Sequence, residues 1–132
     1  MIALQSTARQ YQEVQLATAD RGRLLLLMFE GALAFLARAR AGLEAGDIER
    51  FGYHLGKAQA VIAELMHTLD HKAGGAIAGN LERLYQFMLE HLVEGNLQKS
   101  PRHVAQVSRT LDIISGAYRE VLGPDLSQVD GV

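Results

Sequence analysis

A chain of 132 residues is long enough to bury one core but not two. Hydrophobic residues make up 48% and charged residues 21%, which excludes a disordered chain, and a net charge of −2 without any basic run gives no general pull towards nucleic acid. Cysteine is absent, so neither a disulfide framework nor a thiolate metal site can form.

The longest apolar run, Leu24 to Phe29, is far too short to span a bilayer, and no basic region precedes an apolar core at the N-terminus. A cytoplasmic protein without membrane insertion is therefore expected. The two prolines are Pro101 and Pro124, so nothing of that kind interrupts a helix before residue 101.

Residues 1–19 form the least regular part. Leu4, Ala8, Tyr11 and Gln15 have helical spacing while Val14 and Leu16 alternate, so the segment reads as an N-terminal arm or short helix, loosely attached. Thr18 or Asp20 is a plausible N-cap for the first long helix. In that helix Leu25, Met28, Ala32, Phe35, Ala39 and Gly42 follow a three-four alternation, with Leu24, Leu36 and Leu43 beside them. Leu26, Phe29 and Leu33 fall on a neighbouring flank, which a helix buried on two sides would explain. Leu27 lies among Arg23, Glu30 and Arg38 and is the better candidate for exposure.

Glu44 to Asp47 is a turn, and Asp47 can cap the second helix, although Arg50 stands where a reciprocal capping box needs Glu or Gln. Ile48, Phe51, Leu55, Ala58, Ile62, Leu65 and Leu69 then run as an unbroken stripe, with Tyr53 almost opposite. His67, His71 and Lys72 are expected to close this helix, where positive charge suits the dipole. Gly74-Gly75 breaks the pattern, and a third helix starts at Ile77 with the stripe Ile77, Leu81, Leu84, Met88 and Leu92. Tyr85 and Leu89 flank that stripe, while Phe87 lies off it. Ser100-Pro101 starts a fourth helix, striped by Val104, Val107, Leu111, Ile114, Tyr118 and Val121 and stopped by Gly123-Pro124.

Four amphipathic helices with short connections predict an all-α, antiparallel up-down four-helix bundle. Its expected limits are 1–19 for the arm, 20–123 for the bundle and 124–132 for a polar tail.

Candidate chemistry is sparse. His67 and His71 with Asp70 have the spacing of a two-histidine metal pair, but no second ligand pair accompanies them, and histidines are common at helix ends. His54, with Lys57 three residues on, resembles the phosphorylatable histidine of phosphotransfer domains, yet the glycine of that pattern is misplaced, at Gly56. Ala73 to Ala76 lacks the lysine and hydroxyl of a phosphate loop, so it reads as a tight turn. No cofactor, no resident metal and no catalysis are expected. What remains is a set of large side chains off the stripes, namely Tyr11, Leu27, Tyr53, Phe87 and Ile113, which with the alanine-rich face of the first helix point to grooves for a partner's amphipathic helix.

Several blocks in order resemble one family. They are Gln10-Tyr11-Gln-Glu-Val14; Thr18-Ala19-Asp20 with Leu24 and Met28-Phe29-Glu30-Gly31-Ala32; Leu43-Glu-Ala-Gly46-Asp47; Lys57-Ala58 leading to Ile62 and Leu65; Leu69-Asp70 with Gly74-Gly75-Ala-Ile77-Ala; Asn80-Leu81 to Leu84-Tyr85; and Leu92 to Asn96. Together they resemble the flagellin-specific export chaperones of the FliS type. Departures include Asp20-Arg21 where the family often has Ser-Pro, and Tyr118 where tryptophan is usual.

The resemblance implies a cytoplasmic chaperone that binds the disordered C-terminal segment of flagellin, prevents premature polymerisation and helps deliver it to the export gate of the flagellar type III apparatus. It matches Tyr11 to the family's N-terminal tyrosine, in an arm over the binding surface. The expected partner contacts are Tyr11, Val14, Leu27, Tyr53, Ile62, Leu65, Leu81, Leu84, Tyr85 and Phe87. The alternative is a structural or adaptor bundle that self-associates through the same grooves, as a homodimer for example, with a histidine phosphotransfer domain as the third reading.

Overall fold

The computed structural model describes the backbone of residues 2–122 and the side chains of residues 21–121. Four helices follow one another: α1 Ile2–Glu44, α2 Ile48–His67, α3 His71–Gln98 and α4 Pro101–Leu122. The described residues contain no strand. α1 packs on α2 and α4, α3 packs on the same two, and among the described residues the diagonal pairs do not bring their Cα atoms within 8 Å. With such short connections this is an up-down bundle closed into a ring.

The start of α1 corrects the expected N-cap at Thr18 or Asp20. The helix runs unbroken from Ile2, so Thr18 and Asp20 lie inside it rather than capping it. The reason is local: residues 2–20 hold neither glycine nor proline and are dense in alanine, leucine and glutamine, all good helix formers. The side chains of Tyr11 and Val14 lie outside the described residues, as does the tail 124–132.

The next two helix starts follow the cap chemistry. The Asp47 carboxylate accepts the Arg50 amide at 3.0 Å and opens α2. Asp70 accepts the amides of Lys72 and Ala73 at 3.1 and 3.0 Å and opens α3, so His71 and Lys72 begin α3 rather than closing α2. Both sit at the positive end of a dipole, which leaves Asp70 as the one favourable charge there. Asp70→Ala is expected to lower stability by about 0.5–2 kcal/mol and Asp70→Asn by less, as read by thermal unfolding. An unchanged alanine variant would refute the cap.

Beyond the first turn of α3 the backbone bends at Gly75, where φ is 52° and ψ −126°. That region is open to glycine and strained for other residues, so the glycine pair kinks α3 from within rather than forming the expected tight turn before a helix starting at Ile77. The turn itself lies at residues 68–70. At the other end Ser100 caps α4, its hydroxyl accepting the His103 amide at 3.3 Å, with Pro101 in the first turn.

The core is one cluster. α1 contributes Phe29, Ala32, Leu36 and Ala39; α2 contributes Phe51, Leu55, Ala58, Ile62 and Leu65; α3 contributes Tyr85, Met88 and Leu92; and α4 contributes Val104, Val107, Leu111 and Ile114. The phase of two stripes differs from expectation. In α1 the buried line runs through Leu26, Phe29 and Leu36, while Leu25, Met28 and Phe35 are half-buried. In α3 Ala78 and Tyr85 turn inward, and Ile77 is left 71% exposed. Both helices are apolar over an arc wider than one stripe, so their own periodicity does not set the rotation; the neighbours do. A Cβ on Gly42 would come within 2.8 Å of the Phe51 amide nitrogen, so glycine at that position is what lets the end of α1 lie this close to the first turn of α2.

Candidate functional site

Two apolar faces remain on the outside of the ring. The first lies along the α1–α2 pair. Leu27, Met28 and Gly31 of α1 and Ala60, Val61 and Glu64 of α2 line a groove of about 460 Å³ that opens to solvent. Gly31 and Ala60 carry almost no side chain, and a Cβ built on Gly31 meets nothing within 4 Å, so the groove is a real gap in the surface. Leu27 is 55% exposed at its edge.

One to two turns further, the same face changes character. Arg38 lies over the Phe35 ring at 5.7 Å, Phe35 stacks on His54 at 6.3 Å, His54 meets the edge of Tyr53 at 5.2 Å, and Lys57 lies over Tyr53 at 5.5 Å. Tyr53 is 61% exposed. The Nδ1 atom of His54 is buried without a hydrogen-bond partner. An imidazole packed between two rings in this way is poorly placed to take up a phosphoryl group.

The second face covers the α3–α4 joint. Phe87, 55% exposed, stacks on His91 at 5.2 Å, which stacks on His103 of α4 at 4.2 Å and is hydrogen-bonded to Gln106 at 2.5 Å. Leu84 lies one turn before Phe87 and is exposed. On α4, Ile113 lies two turns beyond Gln106 on the same side and is also exposed.

The expected contact residues divide accordingly. Leu27 and Tyr53 sit on the first face, and Leu84 and Phe87 on the second. Leu81 is half-buried against the core. Ile62, Leu65 and Tyr85 are core residues, and this corrects their nomination as contacts: no partner reaches them while the bundle is closed. Burial, with the neighbouring Tyr118 as a lesser cause, pushes the Tyr85 hydroxyl well above the usual phenol range, so this side chain is neutral packing throughout the physiological range. The groove floor of Gly31 and Ala60 escaped the periodicity reading, because small residues carry no weight in an apolar stripe. His71 pairs with Glu82 at 3.3 Å rather than with His67, and no cluster of three potential metal ligands occurs among the described residues.

Two apolar outer faces narrow the field, and sequence comparison decides it. The model of the family described as flagellar protein FliS matches residues 4–124. This chain belongs to the FliS family. It is 39% identical over 107 residues to flagellar secretion chaperone FliSB of Pseudomonas aeruginosa, covering 78% of this chain and 85% of that one. To flagellar secretion chaperone FliS of Salmonella typhimurium it is 34% identical over 110 residues, 83% and 82% of the two chains. To FliS of Bacillus subtilis it is 28% identical over 121 residues, 92% and 90%.

The family is one of flagellar secretion chaperones and not of enzymes, in keeping with a face built for contact rather than reaction. The Tyr118 ring packs on Phe29 at 5.3 Å and holds α4 to α1. No described helix is long and apolar enough to cross a membrane.

Proposed function

We propose that this FliS-family chain acts in the cytoplasm, binds the disordered C-terminal segment of flagellin and keeps it unpolymerised until delivery to the flagellar export gate. The observation that carries this reading is the pair of exposed apolar faces in a FliS-family bundle, above all the groove over Gly31 and Ala60. Leu27 and Tyr53 on one side and Leu84 and Phe87 on the other are the contacts. They face outward at the cost of keeping apolar surface in water, a cost a client helix removes.

Binding couples to folding. The segment must become helical as it docks, so apolar burial has to exceed the entropy of ordering it. Titrating the C-terminal segment of the source bacterium's flagellin into the protein is expected to give heat and a gain of helical circular dichroism at micromolar concentrations. Absence of both would end the reading. Light scattering on the protein alone separates it from a bundle that pairs with itself through the same faces.

A further inference from the structure

We propose that the α1–α2 groove selects and orients its occupant by charge: a helical stretch of the client lays an apolar side chain over Gly31 and Ala60 and sets a carboxylate one to two turns away over Arg38 and Lys57. This rests on the chaperone reading of the same face and adds to it the chemistry and polarity of the segment that fits.

The groove is electrically lopsided. Its apolar gap is bounded by Glu64 beside Leu27 and Met28. Up the face, in the direction of α1, come Phe35, His54 and Tyr53, with Arg38 and Lys57 set over the outer two rings. Seven residues of helix separate Gly31 from Arg38, about 10 Å at 1.5 Å per residue. A helix docked along the face therefore meets the gap with one residue and the cations with residues four and seven positions away on the same side.

Among the described residues no carboxylate pairs with Arg38 or Lys57, and both head groups lie against aromatic faces instead. Ring contact holds each one near the surface of the groove and leaves its remaining N–H donors for an incoming carboxylate. A segment docked the other way round would bring its acidic end to Glu64, where like charges repel. Attraction at one end and repulsion at the other is how a binding face discriminates orientation.

The test uses the C-terminal flagellin segment, fluorescently labelled, and a second version in which every Asp and Glu is replaced by Asn and Gln. Unmodified protein is expected to bind the neutralised version about three- to tenfold more weakly, the range of two exposed charge contacts. The double variant Arg38→Gln with Lys57→Gln loses the same factor towards the natural segment and nothing further towards the neutralised one. Arg38→Glu with Lys57→Glu recovers binding when the segment's acids are changed to lysine, an outcome no mere loss of folding would produce. Equal binding of natural and neutralised segments by unmodified protein would overturn the inference and leave the chaperone reading standing. Failure of both segments to bind would overturn the two together.

Discussion

Replacing Phe29 by alanine is expected to cost about 3–5 kcal/mol, the range for emptying a fully buried aromatic site. Phe29 has no exposed surface and packs on Tyr118 across the α1–α4 joint. The bundle cannot collapse into the gap, because Ala32 and Leu36 on the same helix already fill their own places in the core. Against a total stability of about 5–15 kcal/mol, such a loss brings the chain close to unfolding at physiological temperature. Phe87→Ala is the matched control: same residue type, same kind of helix, but more than half exposed. Its expected cost lies within about 1 kcal/mol, while binding of the flagellin segment weakens. Thermal unfolding of the two variants side by side is the check, and equal losses would show that the core has been drawn in the wrong place.

Gly31→Leu is expected to separate folding from binding in the opposite sense. A Cβ at this position meets nothing within 4 Å, so the new side chain enters the groove rather than a neighbour. Stability holds or rises, since removing glycine from a helix interior is worth about 1 kcal/mol. The leucine takes the volume over Ala60 in which the proposed client side chain would lie. Excluding one such side chain from burial, worth about 1.5–3 kcal/mol, corresponds to affinity about ten- to a hundredfold lower. Calorimetric titration with the flagellin segment reads this directly. Unchanged affinity in a folded Gly31→Leu protein would remove the α1–α2 groove from the binding surface.

The two experiments bear on different links. Phe29 tests how the sequence becomes a packed bundle, and Gly31 tests how the packed bundle becomes a receptor. In the sequence the two kinds of residue look alike. Phe29 and Phe87 both sit off the stripes drawn from spacing, yet one is sealed and the other open. Tyr85 reads as a flank residue and proves to be a centre of the core, while Ile77 and Leu84 read as core and face outward.

Much was nevertheless legible without coordinates. Turn and cap chemistry placed α2, the glycine break and α4, because Asp47, Gly75 and Ser100-Pro101 act on the backbone within a few residues of themselves. The α2 stripe from Phe51 to Leu65 has the same register in sequence and structure, since that helix carries a single narrow apolar line. Family blocks spread along the chain pointed to FliS for a similar reason: they are strings of residue types and need no geometry.

Rotation of α1 and α3 about their own axes was settled only by tertiary packing, and so were both outer faces. A helix apolar around most of its circumference satisfies its own periodicity at several rotations. Only the neighbours' shapes, such as the close approach of Phe51 to Gly42, choose among them. The groove over Gly31 and Ala60 belongs to this second class, being a space between two helices that neither helix's sequence contains.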